Sequence, residues 1–288
     1  MSVLRAGLIQ TCAGDVPAEN LAQTSALIRE AAAEGAQLCL TPEVTNIVTF
    51  SRRLQAEILR TEDEDPSLAA YRELAAELGR WLLIGSLALK AEDDPGQARP
   101  RFVNRSFLID ASGGIVARYD KIHMFDVDLD NGESWRESAV YRPGDKAVLA
   151  RLPFAAIGLG ICYDVRFPDL YNAYGLAGAE VLTAPAAFTK QTGLAHWHVL
   201  QRARAIENGA YMISAAQAGT HEDGRETFGH SMIVDPWGKI IAEAGDEGEA
   251  AIIAEIDTDA VTAARGKVPN LKNIRAFALE EARALTEV

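Results

Sequence analysis

Apolar runs of strand length alternate along this chain with longer stretches of helical periodicity. The apolar runs predict strands at residues 3–10, 38–40, 81–89, 102–109, 115–119, 180–184, 210–216, 231–235, 239–243 and 250–256. The helical periodicity predicts helices at residues 17–34, 66–78, 167–177 and 194–207. Residues 123–142 have no clear period and predict a long functional loop. Strands mixed with helices in this way predict a layered α/β domain.

The sequence predicts one domain over residues 1–288, because no linker rich in Pro, Gly or Ser divides the chain. Its 288 residues are 48% hydrophobic, which is enough to bury a large core. The tail, residues 267–288, has Pro269 near its start and then the pattern of an amphipathic helix. We expect this tail to dock on the surface or at a subunit interface.

The charge and the cysteine content of the chain indicate its expected cellular location and partners. The net charge is −13 and the basic residues are dispersed, so nucleic acid is not an expected partner. No apolar run approaches the roughly 20 residues of a membrane span, and the N-terminus lacks the apolar segment of a signal peptide. Three cysteines do not make a disulfide framework, which favours the cytoplasm.

Cys162 is the first candidate for chemistry. It follows an apolar run and precedes a polar turn and Pro168, which is typical of a helix start. A thiol at the edge of a sheet beside a helix N-terminus is expected to favour the thiolate and to be exposed as a nucleophile. Gly158 and Gly160 are expected to let neighbouring backbone approach closely. The alternative is a buried cysteine that packs as a small apolar residue.

Two charged residues occupy similar positions upstream. Glu43 ends a short apolar run that is broken by Pro42, and Lys121 follows the strand predicted at residues 115–119. A thiol amidase needs a lysine to supply positive charge for the thiolate and the oxyanion, and a carboxylate to move protons. Taken singly, each residue is more typical of a solvated surface charge.

The sequence predicts neither a metal site nor a cofactor. Acidic residues with the spacing of a calcium loop lack the required glycine, whose place is taken by Asn131; they are Asp126, Asp128, Asp130 and Glu137. His196 and His198 are two residues apart, so they do not share a helix face that could bind zinc. Gly158 and Gly160 are not followed by the third glycine of a dinucleotide-binding loop.

Several motifs in fixed order resemble those of the nitrilase superfamily of carbon–nitrogen hydrolases, in particular its branch of ω-amidases and deaminated-glutathione amidases. They are RAGLIQ at 5–10, PE at 42–43, KIHMFDV at 121–127, GICYDVRFP at 160–168, AHW at 195–197, RARAIE at 202–207 and GHSMIVDPWG at 229–238. The resemblance implies a catalytic triad of Glu43, Lys121 and Cys162, with Glu137 as a second glutamate that orients Lys121 or the substrate. It also implies a four-layer α-β-β-α sandwich that pairs into a homodimer or a larger homo-oligomer.

The expected reaction is hydrolysis of a terminal carboxamide of a small carboxylic acid through a cysteine thioester. Cys162 is expected to attack the carbonyl carbon while Lys121 and the backbone N–H of Tyr163 hold the oxyanion. Glu43 is expected to pass the thiol proton to ammonia and then to activate water. An N-carbamoyl amino acid hydrolase or a nitrilase would use the same triad. The alternative from a different class is a catalytically silent scaffold that binds a partner.

Substrate-binding residues are expected close to the nucleophile. Arg166, four residues past the thiol, is a candidate to bind a substrate carboxylate in a bidentate manner. The alternative is a structural ion pair with Asp164 or Asp169. Phe188 and Thr189 follow a predicted strand and are expected to line the pocket, with core packing as an equal alternative.

Overall fold

The protein, analysed as a computed structural model, is described over residues 3–91, 101–129, 132, 134–246 and 248–282. Its helices are α1 (Pro17–Ala33), α2 (Arg52–Ile58), α3 (Pro66–Leu78), α4 (Pro168–Leu176), α5 (Lys190–Asn208) and α6 (Thr258–Lys267). Its strands are β1 (Val3–Gln10), β2 (Leu38–Leu40), β3 (Trp81–Lys90), β4 (Phe102–Ile109), β5 (Ile115–Asp120), β6 (Asp126–Asp128), β7 (Ser134–Arg136), β8 (Val148–Arg151), β9 (Ala156–Leu159), β10 (Val181–Thr183), β11 (Tyr211–Ser214), β12 (Ala218–Thr220), β13 (Glu226–Phe228), β14 (Met232–Val234), β15 (Ile240–Glu243) and β16 (Ala250–Asp257).

Two mixed sheets of six strands each form the centre of the molecule. The first sheet has the order β16-β1-β2-β3-β4-β5, and the second has the order β15-β14-β11-β10-β9-β8. The central strands of each sheet are parallel, namely β1, β2 and β3 in the first and β9, β10 and β11 in the second. Antiparallel strands flank them on both sides. Parallel central strands need helical crossovers, which accounts for the helices between them.

Side chains that alternate along the strands divide the interior into layers. Leu38 and Leu40 of β2 join the core that contains the second sheet, whereas Cys39 between them packs with Ile28 of α1 and Tyr71 of α3. Each sheet therefore faces the other sheet on one side and helices on the other. The predicted α/β class and four-layer α-β-β-α sandwich are confirmed.

The loops after the parallel strands meet at one edge of the two sheets. Gly85 of β3 permits this approach, because a Cβ there would lie 2.0 Å from the Thr41 carbonyl oxygen and 2.6 Å from Cβ of Pro185. Thr41 follows the first sheet's β2, and Pro185 follows the second sheet's β10. Ligand sites in α/β folds form where such carboxyl ends meet.

Several elements differ from the sequence predictions. The region predicted as an unstructured loop at 123–142 contains the β6–β7 hairpin and a 3₁₀ turn over Glu137–Ala139. The helix predicted in the tail is wrong for its described part, because residues 273–282 are neither helix nor strand. The rest of the tail, residues 283–288, lies outside the described residues. None of the helices in the described ranges has the length and apolar character needed to cross a membrane.

Candidate active site

Cys162 follows the carboxyl end of β9 and has an unusual backbone conformation. Its φ of +49° is unusual for a residue with a Cβ, and such strain is typical of functional positions. Its N–H donates to the carbonyl of Pro185 at 2.9 Å, which ties it to the end of β10. A Cβ on Gly160 would lie 2.5 Å from the Tyr171 hydroxyl and 3.0 Å from the Thr183 carbonyl oxygen, so this glycine lets both a side chain and backbone approach the segment before Cys162.

Glu43, Lys121 and Cys162 converge on one buried cluster, as predicted. The Lys121 ammonium lies 2.8 Å from Oε1 of Glu43, and the Cys162 thiol hydrogen-bonds to the same carboxylate. Lys121 follows β5 and Glu43 follows β2, so the three groups come from the ends of strands in both sheets. Their side chains are almost fully buried.

Glu137 belongs to the same cluster and holds Lys121 from the other side. Its Oε1 and Oε2 accept from the Lys121 ammonium at 3.0 Å and 2.9 Å. Its Oε2 also accepts from the backbone N–H of Phe125 at 2.6 Å. The expectation that Glu137 orients Lys121 therefore agrees with the geometry.

Two further groups were missed by the sequence analysis. The Asn104 amide donates to Oε1 of Glu43 at 2.9 Å and lies 3.5 Å from Oε1 of Glu137, so it bridges the two carboxylates. The backbone N–H of Ala187 donates to Oε2 of Glu43 at 2.9 Å. The one available signal for Asn104 is a polar amide inside the apolar run 102–109.

The thiol form of Cys162 dominates at rest, which corrects the expectation of a thiolate. Burial and the negative charge of Glu43 raise the pKa of Cys162 well above its usual value, and Lys121 only partly offsets them. A thiol with a raised pKa must lose its proton to a nearby base when it attacks. Glu43 is the hydrogen-bonded base in place for that transfer.

Interactions between charges shift the pKa values of Lys121, Glu43 and Glu137 as well. Burial alone favours neutral forms, but the charges of Glu137 and Glu43 raise the pKa of Lys121 well above its usual value. For Glu43 the burial effect is outweighed by Lys121 and by hydrogen bonds, which lower its pKa. Burial, aided by the charge of Glu43, raises the pKa of Glu137. The resting cluster therefore pairs an ammonium with an ionised Glu43 next to a neutral thiol.

Asp164 supports the turn that carries Cys162 and is not a partner of Arg166. Its Oδ2 accepts from the Tyr119 hydroxyl at 2.7 Å and from the Ile161 N–H at 2.9 Å. Its Oδ1 accepts from the His123 N–H at 3.0 Å. These bonds occupy a fully buried carboxylate, so the predicted alternative pairing of Arg166 with Asp164 is not observed.

A cavity of about 260 Å³ opens above the cluster and is lined by Cys162, Lys121, Glu43 and Glu137. The predicted substrate-binding residues Tyr163, Arg166, Phe188 and Thr189 all line it. Phe188 and Thr189 are also buried, each with only 5% of its surface exposed. Four arginines line the same cavity, namely Arg52, Arg136, Arg166 and Arg225.

Arg166 presents its guanidinium to this cavity between aromatic rings. It lies 5.1 Å from the Phe188 ring centre and 5.7 Å from that of Tyr163. Its Nη1 donates to Nδ1 of His196 at 3.1 Å. Burial lowers the pKa of Arg166 because it disfavours the charged guanidinium. The negative charge of a bound carboxylate would stabilise the charged form again.

The described carboxylates with the spacing of a calcium loop bind separate partners. Asp126 accepts from Ser138 and Asp128 pairs with Arg136, while Glu137 holds Lys121, so these carboxylates point to separate partners. Asp130 lies outside the described residues.

Comparison with known proteins agrees with this geometry. The sequence model of the carbon-nitrogen hydrolase family, described as "Carbon-nitrogen hydrolase", matches residues 5–266. The chain belongs to this family. It is 41% identical over 273 residues to the deaminated glutathione amidase of Yersinia enterocolitica, covering 93% of this chain and 92% of that protein. It is 35% identical over 269 residues to the omega-amidase NIT2 of Xenopus tropicalis, covering 93% of this chain and 94% of that protein.

Solved structures of the family have the same fold. The NitFhit protein of C. elegans superposes with a TM-score of 0.85 at 33% identity, covering 96% of this chain and 66% of that chain. A glutamate-to-glutamine mutant of the Nesterenkonia sp. AN1 amidase superposes with a TM-score of 0.77 at 25% identity, covering 95% of this chain and 94% of that chain. That structure is described as carrying a covalent addition of an acetamide moiety at its active site cysteine. The family match over residues 5–266 and the relatives named amidases, at 41% and 35% identity, identify this chain as an enzyme, which rejects the alternative of a silent scaffold.

Proposed function

We propose that this carbon–nitrogen hydrolase cleaves a terminal carboxamide of a small carboxylic acid, with Cys162 as nucleophile and Glu43 as proton carrier. The observation that carries the proposal is the convergence of Cys162, Glu43 and Lys121 at the floor of one cavity. Curated relatives named deaminated glutathione amidase and omega-amidase support the choice of an amide.

The first half of the reaction forms a thioester. The Cys162 sulfur bonds to the carboxamide carbon while its proton passes to Glu43. The carbonyl oxygen takes up the electron pair and is stabilised by Lys121 and by the backbone N–H of Tyr163. When the tetrahedral intermediate collapses, the C–N bond breaks and Glu43 returns the proton to nitrogen, so that ammonia leaves.

The second half hydrolyses the thioester. Glu43 takes a proton from water, and the resulting hydroxide attacks the thioester carbon. Collapse of the second intermediate breaks the C–S bond, and the proton on Glu43 restores the Cys162 thiol. Glu137 and Asn104 are positioning groups in this account, because they hold Lys121 and Glu43.

The substrate carries a carboxylate at the end remote from the amide. The net charge of the protein is −13, but four arginines line the cavity. The positive electrostatic potential of these arginines opposes the negative potential of the whole protein. Arg225 already lies against Asp223 and the rings of Phe50 and Trp135. Arg166, whose contacts are a histidine and aromatic rings, is the guanidinium that receives the substrate carboxylate.

A panel of small amides tests the function. Ammonia release is measured from ω-amides of dicarboxylic acids, neutral amides, N-carbamoyl amino acids and nitriles. We expect the highest kcat/KM for the monoamides of dicarboxylic acids. Preferred release of ammonia with carbon dioxide would identify an N-carbamoyl amino acid hydrolase, and preferred nitrile turnover a nitrilase.

We also propose that the protein forms a cytoplasmic homodimer. Its three cysteines are free, which fits a reducing compartment. One face of α5 exposes Val199 and Ile206, and Trp237 is exposed beside it. The tail packs against this interface and buries Phe277 and Leu279, which are about nine-tenths exposed in the single chain. Light scattering should give a dimer for the parent and a monomer for Val199→Asp/Ile206→Asp.

A further inference from the structure

A cluster of side chains that could bind a metal ion lies outside the active site. Among the described residues, His198, His230 and Glu243 offer donor atoms that all lie within 4.8 Å of one another. His198 is on α5, His230 lies between β13 and β14, and Glu243 ends β15. The three therefore come from distant parts of the sequence, and the amidase mechanism uses none of them.

Both imidazoles point at the same carboxylate oxygen. Nε2 of His198 and Nδ1 of His230 each lie 2.7 Å from Oε1 of Glu243. A tetrahedral zinc ion with ligand bonds near 2.0 Å separates its ligand atoms by about 3.3 Å. Glu243 must therefore withdraw by roughly half an ångström, and the two imidazole nitrogens, which lie within 4.8 Å of each other, must take the same 3.3 Å spacing, for the ion to bind. The Glu243 side chain is 30% exposed, which leaves it free to make this shift.

The backbone and the surrounding rings hold His230 in place before any ion binds. Its φ is +55°, and it is one of only three non-glycine residues with positive φ among those described. The other two are Val44, which follows Glu43, and the nucleophile Cys162. The indole N–H of Trp197 donates to the His230 carbonyl at 2.9 Å, and the His230 ring stacks on Phe228 at 4.3 Å.

The surroundings suit a cation that enters from solvent. A surface cavity of about 320 Å³ is lined by His198 and His230 together with Asp246 and Glu226. The imidazoles are 36% and 24% exposed, so an ion can reach them. Two imidazoles and one carboxylate, with a position left for water, are a ligand set that zinc prefers.

We propose that His198, His230 and Glu243 bind one divalent transition-metal ion, zinc by the chemistry of the donors. The ion joins α5 to the β14–β15 hairpin. It also braces the wall of the amidase cavity, because Phe228 donates its N–H to the Phe188 carbonyl at 2.9 Å and Phe188 lines that cavity. This cluster could not be predicted from the sequence, because the partners of His198 are His230 and Glu243, not His196.

Calorimetric titration of zinc tests the proposal in Cys162→Ala protein, which lacks the catalytic thiol as a competing ligand. We expect one zinc ion per chain. His198→Ala, His230→Gly and Glu243→Gln, each made in that background, should weaken binding at least tenfold. Glycine is chosen because it tolerates positive φ. His196→Ala is the matched control on the same helix and should bind zinc as tightly as the parent.

Thermal unfolding separates loss of a ligand from loss of the fold. Without metal, His198→Ala and Glu243→Gln should unfold at nearly the same temperature as the parent. Added zinc should raise the unfolding temperature of the parent but not that of these two variants. If the parent takes up no zinc, or if all variants bind it equally, the site does not exist. Cobalt(II) should give visible bands of a tetrahedral complex in the parent and not in Glu243→Gln.

Discussion

Lys121 and Glu43 form a buried ion pair, with 2.8 Å between Nζ and Oε1, and Glu137 binds the same ammonium from its other side. One cation thus faces two carboxylates away from water, where an unpaired charge is costly. We expect Lys121→Met to lower the free energy of unfolding by about 3 to 5 kcal/mol. Urea denaturation at neutral pH measures this loss.

The pH dependence of that variant gives a second check. Without the ammonium, burial raises the pKa of both carboxylates in the folded protein above their unfolded values. The folded state then binds more protons, so the deficit should shrink as pH falls. Lys190→Met removes the exposed partner of Glu226 and should change the unfolding free energy by less than about 1 kcal/mol. Equal losses in the two variants would contradict the buried pair.

The reactivity of Cys162 reports the charge of Glu43. Because burial and Glu43 raise the pKa of the thiol above 9, alkylation by iodoacetamide should be slow at neutral pH and should still rise beyond pH 9. Glu43→Gln removes one cause of the raised pKa while Lys121 remains. Its alkylation profile should therefore shift to lower pH, although its kcat falls at least about 100-fold.

Mass spectrometry after timed alkylation measures both profiles, and Cys12 and Cys39 serve as internal references. A plateau of parent alkylation at neutral pH would mean that the thiolate is already formed at rest. A shift of the Glu43→Gln profile to higher pH would contradict the assigned coupling.

Gly85 is required where the two sheets approach. A methyl group there would meet the carbonyl oxygens of Thr41 and Pro42 at 2.0 Å and 2.4 Å, as well as Pro185. Since Pro42 precedes Glu43 and Pro185 accepts from the Cys162 N–H, Gly85→Ala should displace both catalytic groups. We expect a loss of at least about 2 kcal/mol in stability and a fall in kcat.

Gly266→Ala is the matched control, because a Cβ at that position in α6 has no neighbour within 4 Å. It should be at least as stable as the parent, since alanine favours helix. Circular dichroism and steady-state kinetics measure both variants. Parent-like stability and kcat for Gly85→Ala would show that the close approach is not needed.

Arg166 should discriminate among substrates by charge. Loss of its bidentate contact in Arg166→Ala should raise KM for monoamides of dicarboxylic acids by about 10- to 100-fold. Neutral amides should be affected much less. Arg166→Lys keeps the positive charge but loses the paired N–H donors of the guanidinium, so it should recover only part of the affinity. Equal effects on charged and neutral amides would remove the binding role.

Local chemistry made much of the fold predictable. The observed bounds of α3 agree with the prediction because Asp65 caps its start, Pro66 occupies its first turn and Gly79 ends it with φ of +61°. β1 is found as predicted because apolar residues occupy nearly every position of a strand buried on both faces. Such signals lie within a few residues of the element they determine.

Properties that depend on residues far apart in the sequence were harder to predict. The positions of Glu43, Lys121 and Cys162 after strands indicated proximity, but the raised pKa of the thiol follows from its burial and from the charge of Glu43. Asn104 acts on Glu43 across 61 positions, and no local pattern encodes that contact. His198 meets His230 and Glu243 only because α5 packs against β13 and β14.

Intact mass spectrometry during turnover of a slow amide tests the central claim most directly. The account predicts one acyl adduct per chain, equal in mass to the substrate less ammonia, and peptide mapping should place it on Cys162. Cys162→Ala should form no adduct and release no ammonia. Full activity of Cys162→Ala, or an adduct on any other residue, would contradict the account.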